Sequence, residues 1–199
     1  MAYEHDVFIS YRRGNETYRR WVPGTFFQPF KDYLSEALPH DANIFWDIDG
    51  IHAGDQWENR LYEKITRSKV LIPILIPSYF RSDWCRREFA AFYHRQRQLK
   101  LSPGGLILPV VLQDTTYPDY VQGIQGFPCE RYSIVPLNPL TETYEAFHLD
   151  LKRWVKNVSQ AIDRAPEWRA EWMDYDQWIE KPFQELIAPS PRMDKAPQL

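Results

Sequence analysis

One carboxylate stands out in the stretch FWDIDGIHAGDQWENRLYEKI, residues 45–65. An apolar segment there passes through a loop with two glycines into a predicted helix, whose first turn carries Glu58 beside the core residue Trp57. The free backbone N–H groups and the dipole at a helix N-terminus favour an ionised carboxylate. Such a group at a cleft edge suits a reaction that develops positive charge, such as rupture of a glycosidic bond. The residues alone leave open that Glu58 only stabilises its own helix.

Polar and aromatic side chains follow several predicted strands. In open parallel sheets, ligands bind in the crevice at the carboxyl ends of the strands. The residues at or beyond these ends are Ser10, Tyr11, Arg12 and Arg13 on the first strand, Asp47 and Asp49 on the second, and Ser78, Tyr79 and Trp84 after the third. The sequence therefore predicts a polar and aromatic rim at one edge of the sheet.

Several common kinds of site are excluded by sequence. The chain has no GxGxxG, GxxxxGK[ST] or GxSxG motif, which excludes the common dinucleotide fold, the P-loop and the usual hydrolase nucleophile. Two cysteines, Cys85 and Cys129, and five scattered histidines do not have metal-ligand spacing, so no metal is expected. With a net charge of -3, the chain has no global basic field, and nucleic acid is not an expected partner.

Strand-length apolar runs alternate with segments of helical period, which predicts a parallel α/β sheet flanked by helices. The predicted strands are residues 6–11, 43–48, 69–76, 106–112 and a short fifth within 129–137. The predicted helices are residues 25–38, started by Pro23 and Gly24, a helix with Leu61 and Ile65, one capped by Ser82 or Asp83, and about 141–163. Pro73 lacks an N–H for the ladder, so a bulge or local edge is expected there. The pattern leaves the strand order open.

The chain is expected to form one domain over residues 1–165 with additions at its C-terminus. Residues 166–187 are acidic and rich in tryptophan, and they are interpreted as a C-terminal helix or extension that either docks on the domain or binds a partner. Residues 188–199 contain three prolines and predict a disordered tail or linker. Without a signal peptide, a bilayer-spanning apolar run or a disulfide framework, the expected location is the cytoplasm.

Three motifs carry a family resemblance: DVFISYRR at residues 6–13, FWDIDGIHAGDQWENRL, and SKVLIPILIPSYFRSDWCRREF at residues 68–89. Together, with the WCRRE box at residues 84–88 as the most specific part, they resemble the Toll/interleukin receptor (TIR) domain family in its bacterial style. The resemblance covers about residues 4–165. It implies a flavodoxin-like fold, a five-stranded parallel sheet with helices on both faces, and makes residues 47–55, from Asp47 to Asp55, the BB loop that mediates self-assembly.

The resemblance also implies an activity. Enzymatic members of the family need a glutamate on the helix after the BB loop to cleave the nicotinamide glycosidic bond of NAD+, and the matching position here is Glu58, with Glu63 as the fallback. NAD+ would be the substrate and no cofactor would be needed. The product would be ADP-ribose or a cyclic ADP-ribose isomer.

The resemblance further implies which residues hold the dinucleotide. Phe8, Ser10 and Tyr11 match the family's strand-end residues, Arg12 and Arg13 are candidate phosphate contacts, and Trp57 and Trp84 are candidate stacking surfaces for a base. Structural alternatives stay open, since both tryptophans suit a core and Arg13 suits an exposed turn.

Bacterial relatives of this type resemble effectors of anti-phage immunity that oligomerise in response to a sensor domain or protein. The alternative is a non-catalytic TIR scaffold that assembles with other TIR domains. Two departures from the family pattern affect both interpretations: the unusual segment YRRWVPGTFFQPF before the first helix, and the turn-rich stretch at residues 113–139.

Overall fold

The computed structural model describes residues 2–12, 14, 16–46, 55–101, 105–113, 116–134 and 137–187, with the side chains of residues 55–58 excepted. Five parallel strands form one sheet in the order β2-β1-β3-β4-β5. The strands are β1 (His5–Tyr11), β2 (Ile44–Trp46), β3 (Ser68–Leu75), β4 (Val110–Val111) and β5 (Phe127–Pro128). The predicted five-stranded parallel α/β fold is confirmed.

Six α-helices accompany the sheet among the described residues. They are α1 (Glu16–Trp21), α2 (Phe27–Ala37), α3 (Asp55–Thr66), α4 (Asp83–Gln98), α5 (Glu142–Asp163) and α6 (Lys181–Ile187). None of the described helices is long and apolar enough to cross a membrane.

Both faces of the central strands are covered. Val7 and Phe8 point to opposite faces of β1, yet they are only 0% and 1% exposed. The neighbouring strand β3 is apolar and buried over nearly its whole length, as expected for a parallel strand between two helical layers. The helices α2 and α5 pack together, whereas α3 and α4 both contact β1. The core therefore lies on the two sides of β1 and β3.

The first long helical region begins earlier than predicted. Pro23 and Gly24 were expected to mark a helix start, but they lie within a π-helical turn, Val22–Phe26, that joins α1 to α2. A proline inside a helix removes one backbone hydrogen bond, and a π-bulge accommodates that loss. The buried side chains of Trp21 and Phe26, whose ring centroids lie 5.4 Å apart, hold this turn against the core.

Of the two outcomes expected at Pro73, the bulge does not occur and the local edge does, because the described pairing of β3 with β4 covers Ile74 and Leu75 and is preceded by an isolated Leu71–Ile107 bridge. The pairing of β3 with β1 keeps one register through the Ser10–Pro73 pair. The N–H of Leu71 donates to the Leu106 carbonyl at 2.8 Å and the N–H of Leu112 donates to the Leu75 carbonyl at 2.9 Å, so alternate residues of β3 face the next strand. Pro73 lies between Leu71 and Leu75 on the side of β3 that faces the next strand. Because proline lacks an N–H, the hydrogen-bond ladder is interrupted there, but its register does not shift.

The last two strands are shorter than predicted, and the fifth lies elsewhere. Of residues 106–112, the ladder includes only β4 and an isolated bridge between Leu71 and Ile107. The fifth strand was placed within residues 129–137, but β5 precedes that range and Glu130–Tyr132 forms a 3-10 turn. Gly126 lets β5 approach, because a Cβ atom there would lie 2.9 Å from the Pro109 carbonyl oxygen.

The acidic C-terminal segment does not form one continuous helix. It contains a 3-10 turn (Ala170–Met173), a π-helical turn (Asp176–Glu180) and α6. Trp172 is fully buried, with its ring centroid 4.3 Å from the guanidinium carbon of Arg95, and the Trp168 indole N–H donates to the Thr66 carbonyl at 3.2 Å. The segment therefore packs on α3 and α4. The predicted tail at residues 188–199 lies outside the described residues.

We predict that Asp6→Asn destabilises the fold mainly above pH 4. Asp6 is 4% exposed and accepts hydrogen bonds from Lys69 Nζ at 2.8 Å and from the Asn43 N–H at 3.0 Å, joining β1 to its two neighbours. Burial alone would raise the pKa of this carboxyl, but the hydrogen bonds from Lys69, Asn43 and His40 lower it overall. The lowered folded pKa means that Asp6 stabilises the fold above its unfolded value of about 3.9 and loses this effect as pH falls through the folded pKa.

The expected loss is about 1 to 3 kcal/mol in the free energy of unfolding at pH 7, with a smaller loss at pH 3. Urea unfolding at both pH values measures it, with the exposed Asp163→Asn as the matched control. An equal loss at both pH values would contradict this role of the Asp6 carboxylate.

Candidate active site

A cavity of about 380 Å³ opens at the carboxyl end of β1. It lies at the small end of the usual range for small-molecule sites, roughly 300 to 1,000 Å³. The described residues that line it are Phe8, Ile9, Ser10, Tyr11, Arg12, Gly14, Leu61, Ser82, Trp84, Cys85 and Glu88. In a sheet of this strand order, the connection after β1 runs to β2 on one side, whereas the connection after β3 runs to β4 on the other, and ligands bind at such switch points.

The start of α4 forms the second wall of the cavity. The side chain of Ser82 caps the helix by accepting a hydrogen bond from the Cys85 N–H at 3.4 Å. The cap sets the direction of the first helical turn, which carries Trp84. Glu88 follows four residues later, so both side chains lie on one face of α4 and reach the same cavity.

Glu88 is the buried carboxylate of the site, with 8% of its surface exposed. The Ser10 hydroxyl at the end of β1 donates a hydrogen bond to Glu88 Oε2. The Tyr79 hydroxyl lies 2.6 Å from Ser10 Oγ and 3.3 Å from the Cys85 carbonyl oxygen. Since the single Ser10 proton goes to the carboxylate, the Tyr79 proton is shared between Ser10 Oγ and that carbonyl. A chain of hydrogen bonds therefore runs from Tyr79 through Ser10 to Glu88 and orients the carboxylate.

The groups beside Glu88 remain protonated at neutral pH. Burial raises the pKa of the Cys85 thiol to about 12, and the Glu88 charge adds to this effect. Burial likewise raises the pKa of Tyr79 well above 10. The thiol is therefore not a nucleophile at neutral pH, because the thiolate is the reactive form. Among the described lining residues, Glu88 is the only acid and Arg12 is the only base.

Arg12 lines the cavity and links the two loops that follow β1 and β3. Its Nη1 donates to the Ser78 carbonyl at 2.6 Å, which joins the end of β1 to the turn after β3. A guanidinium presents five donors in a planar fork that matches phosphate oxygens. The position suits a residue that binds a phosphate group of a ligand in the cavity.

The structure brings together five of the residues predicted from sequence: Phe8, Ser10, Tyr11, Arg12 and Trp84 all line the cavity. Other predictions fall outside what is described. Arg13 and residues 47–54 of the BB loop lie outside the described residues, and Trp57 and Glu58 lie in α3 with side chains that are not described.

The fallback residue Glu63 is exposed and is not among the residues that line the cavity. From α3, the cavity receives Leu61.

The sequence interpretation missed Glu88. Its signal was present in the WCRRE box, since a helix capped at Ser82 places Glu88 one turn after Trp84, on the side that carries the predicted stacking residue. Elsewhere in the described part of the chain, no group of three or more His, Cys, Asp or Glu side chains could hold a metal ion.

Comparisons with known proteins identify the family of this chain. The family model described as "TIR domain" matches residues 7–134. A curated relative from Brachypodium distachyon, a probable 2' cyclic ADP-D-ribose synthase, is 28% identical over 116 residues, which are 56% of this chain. The chain spans only 48% of the length of that relative.

Two solved structures are similar at 17% identity each. The TIR domain of the Toll-related receptor TRR-2 from Hydra magnipapillata gives a TM-score of 0.43, over 74% of this chain and 98% of that one. The TIR domains of the activated Roq1 resistosome, which recognises the pathogen effector XopQ, give a TM-score of 0.38, over 92% and 97%.

We predict that Ser10 and Glu88 are energetically coupled. Ser10→Ala removes the donor to a buried carboxylate and should cost about 1 to 3 kcal/mol in the free energy of unfolding. Glu88→Gln removes the charge. In that background, Ser10→Ala should therefore lower the free energy of unfolding by less than it does in the wild type. Urea unfolding of the wild type, both single variants and the double variant measures the coupling.

The control is Ser159→Ala, which removes a buried hydroxyl that, within the described residues, donates to the Lys156 carbonyl of its own helix. Additive effects of Ser10→Ala and Glu88→Gln would refute the coupling.

Proposed function

This chain belongs to the TIR domain family, and we propose that it is an NAD+ nucleosidase that cleaves the nicotinamide glycosidic bond. The observation that supports this proposal is the buried carboxylate of Glu88, held by Ser10 in a cavity at the carboxyl end of β1. A cavity of this size, whose described lining residues include one acid, one base and several aromatic side chains, suits a ligand with a cationic ring, a sugar and phosphate.

The reaction needs an anion where positive charge develops. As the bond between ribose C1' and the nicotinamide nitrogen breaks, its electron pair leaves with nicotinamide and the ribose becomes oxocarbenium-like. A fixed carboxylate beside the ribose stabilises that state more than the ground state. We assign this role to Glu88, because its side chain lines the cavity and is oriented by the hydrogen bond from Ser10.

The other lining residues receive roles from their chemistry. Arg12 would bind the pyrophosphate through its guanidinium fork. Trp84 offers a ring for a base to stack on, and Tyr11 and Phe8 complete the aromatic wall. From the resemblance, Arg13 and Trp57 remain proposed NAD+ contacts.

Glu58 remains the alternative catalytic carboxylate. It lies in the first turn of α3, the helix after the BB loop, where the family resemblance places the required glutamate. Substitution of each carboxylate distinguishes the two assignments. NAD+ turnover should be lost when the catalytic carboxylate is removed and kept when the other one is removed.

The ADP-ribosyl group has two fates after nicotinamide leaves. Attack of water at C1' gives ADP-ribose and releases a proton. Attack by a nucleophile within the ADP-ribosyl group gives a cyclic isomer, also with release of a proton. The Brachypodium relative is named for a cyclic product, 2' cyclic ADP-D-ribose. NAD+ is the substrate in both cases, and neither outcome needs a cofactor.

Within this proposal, activity depends on assembly through residues 47–55 of the BB loop, and the biological role is that of an effector or signal generator in anti-phage immunity. A sensor domain or protein would trigger the assembly. The other candidate is a scaffold without catalytic activity, which would not need a buried carboxylate in a cavity.

We predict that Glu88→Gln lowers kcat/KM for NAD+ by about 100-fold or more, because the substitution keeps the shape and removes the charge. Nicotinamide release and product identity, measured by chromatography at high protein concentration with a crowding agent, test this. Glu58→Gln, assayed in parallel, decides between the two carboxylates.

The exposed Glu145→Gln on α5 is the control and should keep wild-type turnover. A folded Glu88→Gln protein with full turnover would exclude Glu88, and loss of turnover only in Glu58→Gln would assign the reaction to that residue. No turnover by the wild type under any assembling condition would favour the scaffold.

A further inference from the structure

A cation on α4 connects the C-terminal segment to the cavity wall. The guanidinium carbon of Arg87 lies 4.1 Å from the ring centroid of Phe183 in α6 and 5.3 Å from the ring centroid of Trp84. Phe183 is 4% exposed, whereas Trp84 is half-buried and lines the cavity. One guanidinium therefore contacts a ring of the cavity wall and a ring of the docked segment.

A carboxylate of the C-terminal segment holds Arg87 in this position. Arg87 Nε donates to Glu180 Oε2 at 3.2 Å, and the Tyr175 hydroxyl donates to the same oxygen at 3.4 Å. The Gln184 side chain donates to the other oxygen of Glu180 at 2.7 Å. The hydrogen bond from Gln184, with further support from Arg87, lowers the pKa of Glu180 despite partial burial, so it stays ionised at neutral pH.

Helical spacing joins this contact to the reaction site. Arg87 and Glu88 occupy positions i+3 and i+4 relative to Trp84 on α4, so the Trp84 side chain is a neighbour of both on the helix surface. Trp84 and Glu88 line the cavity, whereas Arg87 contacts Phe183 of α6. Arg87 thereby links the segment at residues 175–187 to the cavity wall.

We propose that Arg87 is a positioning residue: it fixes the ring of Trp84 in the cavity wall, and the docked C-terminal segment fixes Arg87. The C-terminal segment therefore sets the affinity of the cavity for the aromatic base of its ligand. This inference rests on the proposed NAD+ activity for the identity of the ligand, but the coupling from Phe183 to Trp84 exists without any ligand.

The planar guanidinium is the feature that matters. It can face two rings while donating to a carboxylate, whereas an ammonium is a compact point charge on a flexible stem. Arg87→Lys therefore keeps the charge facing Glu180 and loses the flat surface. Phe183→Leu keeps an apolar side chain in the same place and loses the aromatic face.

Steady-state kinetics on the full chain test the positioning role. Each variant, Arg87→Lys and Phe183→Leu, should raise KM for NAD+ about two- to tenfold while kcat stays near the wild-type value. The double variant should resemble the single variants, because both changes release the same ring. The control is Arg97→Lys on the same helix, where Arg97 contacts Tyr93 and neither residue lines the cavity.

A ligand-free measurement separates this inference from the proposed function. In the nitrogen-15 spectrum of the tryptophan indoles, the signal of Trp84, assigned by its loss in Trp84→Phe, should move in Arg87→Lys and Phe183→Leu and stay in Arg97→Lys. The indole of Trp154, which packs on Phe127 with ring centroids 5.2 Å apart, should not move in any variant.

An unmoved Trp84 signal in both variants would overturn the inference, as would an unchanged KM in variants whose Trp84 signal does move. If the wild type turns over no NAD+, the proposed function fails, and the indole signal alone decides whether Arg87 holds Trp84.

Discussion

A carboxylate buried at the end of an apolar sheet needs fixed hydrogen-bond donors, and this constraint organises the site around Glu88. Without donors, burial of a charge costs several kcal/mol, so such groups occur only with partners. Ser10 supplies the donor from β1, and Tyr79 supports Ser10 from the turn after β3. The carboxylate is therefore oriented by residues from β1 and from the turn after β3.

The helix α4 combines this site with the attachment of the C-terminal segment. Near its start, Glu88 faces the cavity and Arg87 contacts α6. Near its end, Arg95 is 2% exposed, donates to the Ser68 carbonyl at 3.0 Å and packs on Trp172. Burial lowers the pKa of Arg95 to about 10, so it is still charged at neutral pH. Arg87 and Arg95 on one helix thus help to join residues 166–187 to the domain, and Arg87 does so beside the cavity.

Much of the fold and part of the site were predictable from sequence, for physical reasons. Continuous apolar runs revealed β1 and β3, because a strand covered on both faces has no polar side, and Ser82 revealed the start of α4 as a helix cap. The short strands β4 and β5 were not predictable, since their pairing depends on a close approach at Gly126 that only the folded chain shows. The π-helical turn at Pro23 depends likewise on the packing of Trp21 and Phe26.

The site prediction found the strand-end residues and Trp84 because their positions follow from strand and helix periodicity. It missed Glu88 because the partner that accounts for its burial, Ser10, is 78 positions away in the sequence.

Two quantities measured on the same Glu88→Gln protein test the role of Glu88: the dissociation constant for NAD+ and the rate of nicotinamide release in a single turnover. If Glu88 stabilises the transition state, NAD+ should still bind with an affinity within a few-fold of the wild type while release slows by about 100-fold or more. Release of nicotinamide at the wild-type rate from the bound complex would contradict a catalytic role of Glu88.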